Sequence, residues 1–290
     1  MIKKGIILSG GTGSRLSPIT KSINKQLLPL YDKPMIFYSL SVLMLAKIKD
    51  ILLITNRKDL KLYKELFGSG EDIGLKISYA TQDKPDGIPD AFIIGKKFIN
   101  NQNIALILGD NFFYGQGFTK KLQDEKKLKS GAKIFLYKVK NPEDYGTAEI
   151  QNNKIKNIIE KSKKNISSYA ITGLYFFDNN VVKYVTKLKP SKRRELEIVD
   201  LLKIYNKKNK LYFSLMGRGS AWLDTGSPEN LLSTSEFIST IENRQGLKIG
   251  CIEEIALMNK WINKKNIIRR INFYGNSMYS NYLKKLINHG

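Results

Sequence analysis

Short apolar runs alternate with amphipathic segments along the first half of the chain. The apolar runs are rich in isoleucine, leucine, valine and tyrosine and predict strands, at 3–9, 50–55, 75–81, 103–108 and 132–138. The segments between them have helical spacing and predict helices at 34–46, 58–67, 87–99 and 116–128. This alternation is typical of an α/β fold with a doubly wound, Rossmann-like and mostly parallel sheet.

The pattern changes near residue 140. Two apolar segments joined by Asn152-Asn153 predict a hairpin, and two further strands and a helix follow, at 168–177, 211–216 and 194–207. After Pro228 the spacing predicts helices at 229–243, 253–262 and 277–288. We therefore expect an α/β core over 1–228, in two parts of about 1–139 and 140–228, with a helical C-terminal region over 229–290 packed on it.

Composition narrows the class of protein. A chain of 290 residues that is 42% hydrophobic can bury a large core, and no apolar run approaches the ~20 residues that span a membrane. One cysteine and one histidine support neither a disulfide framework nor a zinc site built on those residues. A magnesium site made of carboxylates stays open. The single cysteine, and a strand rather than a signal segment at the start, predict a cytoplasmic protein.

The net charge of +23 raises the question of a polyanionic partner. The lysines are spread along the chain and alternate with asparagine and isoleucine, as in NNKIKNIIEKSKKNI, rather than gathering in one patch. This distribution favours a solvated exterior, so we expect no nucleic acid partner and no membrane insertion. A nucleic-acid-binding protein remains the alternative, and filter binding at near-physiological salt tests it.

The first strand runs directly into a glycine-rich loop, GGTGSR, at residues 10–15. Glycines after a strand let backbone N–H groups approach phosphate oxygens, and Arg15 and Lys25 add cations beside them. Leu16 stands where the dinucleotide fingerprint needs a third glycine, and Ser14-Arg15 replace the Lys-Ser/Thr pair that closes a P-loop. The loop therefore predicts a phosphate site of a different type.

The loop and the segment after it carry a family resemblance. GIILSGGTGSRLSPIT at 5–20 and KQLLPLYDKPMIFYSL at 25–40 are similar to the signature of the sugar-nucleotidyltransferase family. Seven further segments match in order: PDGIPDAFIIG at 85–95, LGDNFFYG at 108–115, DYGTAEI at 144–150, YAITGLYFFD at 169–178, ELEIVD at 195–200, GRGSAWLDTGSPENLL at 217–232 and IENRQGLKIGCIEEIA at 241–256. The resemblance covers nearly the whole chain, which is identified on it as a member of that family.

The resemblance implies a reaction and its setting. The family members that the chain resembles more closely transfer a thymidylyl group from dTTP to glucose 1-phosphate with Mg²⁺, giving dTDP-glucose and pyrophosphate. It also implies a role in dTDP-rhamnose and surface polysaccharide synthesis, a homotetramer, and inhibition by a downstream nucleotide sugar. A uridylyltransferase that uses UTP and a non-catalytic nucleotide-sugar sensor of the same fold remain as alternatives.

Nucleotidyl transfer sets the chemistry that the site must supply. The sugar phosphate attacks the α-phosphorus and pyrophosphate leaves in line, so two polyanions must be held together against their repulsion. Cations, backbone donors and a divalent metal do this, and no nucleophilic side chain is required. The predicted catalytic residues are Arg15, on the nucleotide phosphates, and Lys25, between the α-phosphate and the sugar phosphate. His289, one residue from the end, is not expected to act.

Asp110 and Asp224 are the predicted metal ligands. Each follows an apolar strand segment, so both carboxylates emerge at strand ends, and such a pair suits an Mg²⁺ ion that keeps water and phosphate ligands. The alternative role for a strand-end aspartate is to cap the next helix, although Thr225 or Ser227 can take that role from Asp224.

The nucleotide-binding residues are predicted from the glycine loop, the family resemblance and the side-chain amide of Gln82. Gln82 ends a strand, and its amide has the donor and the acceptor needed to pair with the N3–H and O4 edge of thymine or uracil. Pro89 and Asp90 stand where the family has small or amide residues. The predicted nucleotide-binding residues are Leu8, Gly10, Gly11, Thr12, Gly13, Ser14, Gln26, Gln82, Pro85, Asp86 and Gly87.

The residues that bind the sugar phosphate are predicted from the family resemblance. Glu160 can accept hydrogen bonds from sugar hydroxyls and Lys161 can neutralise the sugar phosphate, although an exposed charge pair is the alternative. Glu195 and Glu197 are expected to be structural, on different faces of the helix at 194–207. The predicted sugar-phosphate-binding residues are Asn111, Tyr145, Gly146, Glu160, Lys161, Thr172, Gly173 and Trp222.

Overall fold

The computed structural model describes residues 1–84, 86–161 and 167–288, and its elements follow the predicted order closely. The strands are β1 Lys4–Ser9, β2 Pro29–Leu30, β3 Lys33–Pro34, β4 Asp50–Thr55, β5 Lys76–Thr81, β6 Ile104–Leu108, β7 Asn111–Gly115, β8 Ala132–Lys138, β9 Thr147–Gln151, β10 Lys154–Ile159, β11 Tyr169–Phe177, β12 Leu211–Leu215 and β13 Ser220–Asp224. The helices are α1 Ile36–Leu45, α2 Leu60–Phe67, α3 Asp90–Ile94, α4 Lys96–Ile99, α5 Phe118–Glu125, α6 Val181–Val185, α7 Ile198–Lys207, α8 Pro228–Gln245, α9 Ile252–Met258, α10 Lys264–Tyr274 and α11 Met278–Asn288.

A nine-stranded sheet forms the centre of the molecule. β5, β4, β1 and β6 pair in parallel, and 51–54 in the middle of this group is apolar at every position because both faces are buried. Beyond β6 the sheet becomes mixed, since β11 pairs antiparallel with β6, β8 and β9 while β12 pairs parallel with β8. The predicted α/β class is confirmed, and the antiparallel pairs of this sheet involve β9 or β11, which come from the second half of the chain.

Helices cover both faces of the sheet in separate apolar layers. One layer joins α1, α2 and the C-terminal helices, with α9 lying against α1. The other joins α3, α6 and α7. The carboxyl ends of β1, β4 and β6 therefore open at one edge between two covered faces, where open α/β sheets bind ligands.

Two predicted helices begin three or more residues later than expected. The stretch 87–99 forms α3 and α4 only from Asp90, because Gly87 has a φ of 101° and pairs with Leu196 in an isolated bridge. α7 begins at Ile198 rather than near 194, and the residues before it are not helical. Both differences lie at the same edge of the sheet as the glycine loop.

The C-terminal region contains one helix that was not predicted. α10 is capped by Asn263 through reciprocal hydrogen bonds. Glu253 is fully buried and accepts hydrogen bonds from Arg270 (3.1 Å) and Tyr279 (2.7 Å), which ties α9 to α10 and α11. Among the helices of the described ranges, none is long and apolar enough to cross a membrane.

Candidate active site

The glycine loop lies at the carboxyl end of β1, between β4 and β6. Gly13 has a left-handed backbone, with φ at 60°, and a Cβ there would lie 2.9 Å from Thr20 Cγ2 and 3.1 Å from Lys25 Cβ. Glycine is therefore required for the loop to pass so close to the turn that bears Lys25. The loop and this lysine consequently share one edge of the sheet.

A buried network holds the turn that bears Lys25. Asn24 caps this turn by accepting a hydrogen bond from the Gln26 N–H (3.0 Å), and it accepts a second from the Tyr63 hydroxyl (2.8 Å). Its own amide donates to Asp59 Oδ2 at 2.7 Å. Asp59 directly precedes α2 and Tyr63 lies on it, so this helix fixes the backbone from which Lys25 projects.

Lys25 and Asp110 form a close ion pair. The ammonium lies 2.5 Å from Asp110 Oδ2, and the lysine side chain is only 6% exposed. Burial disfavours the Asp110 carboxylate, but the Lys25 charge and hydrogen bonds from Lys25 and Asn111 outweigh this and hold the pKa of Asp110 below its ordinary value. The pair keeps a carboxylate ionised just beyond the end of β6.

The strand pair β7 and β13 brings the second predicted carboxylate to the same place. Their antiparallel register sets Asp224 opposite Asn111. Thr225 donates to the Asp110 carbonyl from both its backbone (3.3 Å) and its hydroxyl (2.9 Å), so the two aspartates emerge from adjacent strands. Asp224 accepts a hydrogen bond from the Tyr145 hydroxyl at 3.2 Å, and burial together with this carboxylate raises the pKa of Tyr145.

Arg15 and the Asp224 carboxylate both lie beside Gly226. A Cβ at Gly226 would lie 2.6 Å from an Arg15 guanidinium nitrogen and 3.0 Å from Asp224 Oδ2. Both groups therefore lie on the side of Gly226 where a side chain would project. The missing side chain at Gly226 leaves the space that the guanidinium and the carboxylate occupy.

A cavity of about 250 Å³ gathers these groups at the sheet edge. Its walls include most residues predicted for catalysis, metal and sugar: Arg15, Asp110, Asn111, Tyr145, Gly146, Glu160, Lys161, Gly173, Trp222 and Asp224. Lys25 joins them through its ion pair with Asp110. Side chains from widely separated stretches of the sequence thus meet in one cleft.

Asn111 organises one wall of the cavity. Its Oδ1 accepts hydrogen bonds from the Trp222 indole (2.6 Å) and the Gly173 N–H (3.2 Å), and its Nδ2 donates to Asp110 Oδ1 at 3.1 Å. A Cβ at Gly173 would lie 2.8 Å from the Asn111 amide, so only glycine fits there. Asn111, predicted as a sugar contact, therefore also supports Trp222 and Asp110.

Thr172 is placed inside the sheet rather than in the cavity wall. It is fully buried in β11, and its hydroxyl donates to the Phe135 carbonyl at 3.0 Å. Neighbouring residues of a strand face opposite sides, and Gly173 is the one at the cavity. Thr172 is therefore not part of the cavity wall, and its predicted role in binding the sugar phosphate stays a prediction.

Most predicted nucleotide-binding residues belong to the glycine loop or lie beside it, and they do not line the 250 Å³ cavity. Gln82 is buried, and its Oε1 lies 2.8 Å from the position of a Cβ on Gly10. Leu8 is partly buried one residue before the end of β1. Gln26 is buried against Gly109, and its Oε1 has no hydrogen-bond partner in the part of the chain that the structure describes. A second cavity, of about 380 Å³, is lined by Gly11, Thr12 and Ser14.

The loop after β5 is tied to the segment before α7 by backbone contacts. The Leu196 N–H donates to the Asp86 carbonyl at 2.8 Å. Gly87 pairs with Leu196 so closely that a Cβ on Gly87 would lie 2.1 Å from the Leu196 oxygen, so glycine is needed here. Pro85, predicted in the same loop, and His289 lie outside the described residues.

Three charged residues of the cavity wall were not predicted as ligand contacts. The three residues are Arg193, Glu195 and Glu197, which line the cavity from the non-helical segment that precedes α7. Glu197 has an extended backbone, and residues two apart in extended chain share a face. The expectation that Glu195 and Glu197 lie on different helix faces is therefore wrong. The alternation Glu-Leu-Glu before the apolar helix residues was the available signal.

Glu160 lies among these charges. An Arg193 guanidinium nitrogen lies 3.5 Å from Glu160 Oε1 and 2.8 Å from Glu197 Oε2. Burial and the neighbouring Glu197 charge raise the pKa of Glu160, against the opposing effect of Lys161 and Arg193. Carboxylates and a guanidinium around a cavity supply the acceptors and donors that bind polyol hydroxyls and phosphate.

Asp110 and Asp224 are the residues that fit a divalent cation. Within the described ranges, no group of three or more histidine, cysteine, aspartate or glutamate side chains is arranged to hold a metal. A magnesium ion keeps several waters and takes one or two carboxylates together with substrate phosphates. Two carboxylates at the same end of the adjacent strands β7 and β13 fit that ion, and they do not fit a fully caged zinc.

An α/β sheet with a glycine loop, cations and two carboxylates at its edge defines a nucleotide-binding class of protein. The model of the nucleotidyl transferase family matches residues 4–241, and the chain belongs to that family. It is 49% identical over 285 residues to the glucose-1-phosphate thymidylyltransferase of Neisseria meningitidis, over 98% of this chain and 99% of that protein. Identity to the Mycobacterium tuberculosis enzyme of the same name is 45%, with the same coverage.

Solved structures show the same architecture. A candidate glucose-1-phosphate thymidylyltransferase from Bacillus anthracis, in complex with sucrose, aligns with a TM-score of 0.75 at 41% identity, covering 81% of this chain and 94% of that chain. A UDP-glucose pyrophosphorylase complexed with UDP-glucose aligns with a TM-score of 0.73 at 24% identity, covering 83% and 100%. The second likeness shows the fold alone.

Proposed function

We propose that this chain transfers a thymidylyl group from dTTP to glucose 1-phosphate, giving dTDP-glucose and pyrophosphate. The thymidylyltransferases of Neisseria meningitidis and Mycobacterium tuberculosis, 49% and 45% identical over nearly the whole chain, support the substrates. The observation that carries the mechanism is the convergence of Arg15, Asp110 and Asp224 on one cavity, with Lys25 paired to Asp110.

The cations offset the repulsion between the two substrates. We assign Arg15 and the N–H groups of the glycine loop to the nucleotide phosphates, and Lys25 to the space between the α-phosphate and the sugar phosphate. Lys25 directs one of its three N–H bonds at Asp110, which leaves two for phosphate oxygens. Because the Asn24 network holds its turn in place, the lysine charge is preorganised where negative charge develops.

The sugar occupies the far end of the cavity in this proposal. A Cβ at Gly146 would lie 3.3 Å from Glu160 Oε2, so its absence leaves room for a sugar ring. Glu160 accepts hydrogen bonds from sugar hydroxyls, and Lys161 and Arg193 flank the sugar phosphate. Trp222, held by its indole hydrogen bond, provides an apolar surface beside the ring.

We assign an Mg²⁺ ion to Asp110 and Asp224. Bound there, it would neutralise charge on the phosphate oxygens of the nucleotide. Asp110 is suited to this role because the lowered pKa keeps it ionised throughout the neutral range. Asp224 is oriented by the Tyr145 hydroxyl and by the Asn230 amide, which donates to Oδ1 at 2.8 Å and leaves Oδ2 toward Arg15.

The family resemblance supports a proposal for the setting of the reaction. We place the enzyme in dTDP-rhamnose synthesis for surface polysaccharides, acting in the cytoplasm as a homotetramer. Residues 1–139 serve the nucleotide and 140–228 the sugar, while the helical region 229–290 packs on the core.

Pyrophosphate release tests the proposal, with dTTP and UTP compared in the presence of glucose 1-phosphate and Mg²⁺. We expect turnover with a preference for dTTP. A preference for UTP of more than about tenfold, or about 1.4 kcal/mol, would replace the thymidylyltransferase with a uridylyltransferase. Nucleotide binding without turnover would identify a sensor instead.

A further inference from the structure

Gln82 and Asp90 form a buried contact beside the glycine loop. The Gln82 Nε2 donates to Asp90 Oδ2 at 2.9 Å and lies 3.5 Å from the Gly87 carbonyl. Gln82 is only 5% exposed, so its amide is held by its neighbours rather than by water. Among the described residues, Asp90 uses its carboxylate on Gln82 rather than on the start of α3.

The chemistry of Asp90 decides how the Gln82 amide is turned. An ionised carboxylate accepts hydrogen bonds and has none to donate, so the amide nitrogen must face it. The opposite orientation would bring Gln82 Oε1 to the same distance from Asp90 Oδ2 and set two acceptors against each other. The contact therefore fixes one of the two orientations of the amide.

The other end of the amide faces the glycine loop. Gln82 Oε1 lies 2.8 Å from the position of a Cβ on Gly10, so the absence of a side chain there leaves this oxygen room. An oxygen in this place is an acceptor for a base bound beside the loop. Thymine and uracil carry an N3–H donor on this edge, whereas cytosine carries an unprotonated N3 acceptor. The fixed amide thus matches the first two bases and opposes the third.

We propose that Asp90 is a specificity-determining residue that acts through Gln82. By holding the amide nitrogen, Asp90 keeps Gln82 Oε1 toward the base and selects pyrimidines with an N3–H against cytosine. The proposal rests on the proposed function for the place of the nucleotide, and it adds the rule by which the base is chosen. Asp90 does not separate thymine from uracil, because both present the same edge.

Asp90→Asn tests the rule, since asparagine has nearly the same shape but can donate as well as accept, which lets Gln82 turn. The measurement is kcat/KM with glucose 1-phosphate for dTTP, dUTP and dCTP. We expect the ratio of dTTP to dCTP to fall about tenfold or more, and the ratio of dTTP to dUTP to stay within about twofold. Asp90→Ala removes the acceptor and carries the same expectation.

Two further variants serve as controls. Asp90→Glu keeps a carboxylate and should retain most of the preference for dTTP over dCTP. Asp83→Asn removes a nearby exposed carboxylate, paired with Arg57 at 3.4 Å, and should leave every ratio unchanged. An unchanged dTTP-to-dCTP ratio in folded Asp90→Asn and Asp90→Ala would overturn the proposal. An equal loss with all three nucleotides would also overturn it, because a general loosening of the site gives that result.

Calorimetry with dTDP, dUDP and dCDP measures the same ratios as dissociation constants, without turnover. If the wild-type protein prefers dTDP over dCDP through Asp90 but releases no pyrophosphate, the reaction assignment fails and the base rule stands. If it turns over dTTP with a preference that Asp90 does not affect, the base rule fails and the reaction assignment stands.

Discussion

Two carboxylates of one cavity have pKa values displaced in opposite directions. Asp110 faces the Lys25 ammonium, which overcomes the effect of burial and lowers the pKa. Glu160 is partly buried beside Glu197, and both burial and the like charge raise its pKa. These opposite directions agree with the proposed roles, Asp110 in binding a cation and Glu160 in binding neutral hydroxyls.

Removing the Lys25 charge tests the assignment of the transition-state cation. We expect Lys25→Ala to lower kcat by about a thousandfold, because charge on the transferring phosphate loses its fixed counter-charge. Lys133→Ala is the matched control, since Lys133 is a partly buried lysine paired with Glu125 and outside the cavity wall. Pyrophosphate release measures both, and circular dichroism checks the fold. A kcat within about tenfold of wild type in Lys25→Ala would contradict the assignment.

The raised pKa of Glu160 predicts a pH dependence of stability. The ordinary value is 4.5, and a higher folded-state value means that the folded protein binds the proton more tightly than the unfolded chain does. The Glu160 contribution to the free energy of unfolding therefore falls as pH rises from below 4.5 through the raised pKa, and then levels off.

Glu160→Gln measures this contribution because glutamine does not titrate. In urea unfolding between about pH 4 and 8, the stability of wild type relative to Glu160→Gln should decrease with pH and then become constant. Glu149→Gln removes a carboxylate outside the cavity wall, paired with Lys156, and serves as the control. A relative stability that is flat or rises with pH would contradict the environment assigned to Glu160.

Among the elements, α2 is the one that positions the turn bearing Lys25. Asp59 and Tyr63 bond to the two ends of the Asn24 amide, and Asn24 caps that turn. All of these groups are buried, so the network resists displacement by water. An element outside the lining of the 250 Å³ cavity thereby sets the place of Lys25, the cation paired with Asp110.

Tyr63→Phe removes one hydrogen bond from this network and keeps the ring. We expect the free energy of unfolding to fall by about 1 kcal/mol, and kcat to fall several-fold because the turn is held less firmly. Tyr205→Phe is the matched control, since this equally buried hydroxyl donates to Asp178 at 2.9 Å, outside the cavity wall. Urea unfolding and pyrophosphate release should show a similar stability loss in both variants and a loss of kcat only in Tyr63→Phe. Equal kcat values in the two variants would contradict the proposal that α2 positions Lys25.

The strands and the glycine loop could be predicted from sequence because their signals are local. A run of branched apolar residues requires burial, and glycines after it favour a close-packed loop. α10 was missed because the charged residues of KKNIIRRINFY obscure the spacing of Ile267 and Ile271. Those two side chains are buried because segments distant in sequence, including residues 71–73, and the other C-terminal helices pack against α10.

The content of the cavity could be predicted only in part. Sequence motifs identified the charged residues near the strand ends. They could not show that Glu195 and Glu197 share a face, because this depends on where α7 begins. That point is set by the bridge between Gly87 and Leu196, which joins residues far apart in sequence. Likewise, the double role of Asn111 depends on the pairing of β7 with β13.

At the scale of the molecule, a net charge of +23 gives a general attraction for anions. The site cation Lys25 is different, since it is buried and paired. Exposed charges are screened by salt over about 10 Å, whereas a buried charge is screened much less. Binding by the surface and binding by the cleft should therefore respond differently to salt.

Filter binding of DNA and calorimetric binding of dTTP measure this difference. We expect DNA retention at near-physiological salt to be weak and to fall steeply as salt rises, while dTTP binding changes much less. Lys25→Ala should affect dTTP and leave DNA retention unchanged. Salt-resistant DNA binding tighter than about 1 µM would contradict a solvated exterior and favour a nucleic acid partner.

The most direct test of the account is a crystal structure with Mg²⁺, glucose 1-phosphate and a dTTP analogue that has a methylene between its α- and β-phosphates. We predict that the α-phosphate and the sugar phosphate both lie within about 3 Å of Lys25 Nζ, with Arg15 on the nucleotide phosphates. The contradicting result would be two phosphates in separate cavities, more than about 10 Å apart and beyond a Debye length.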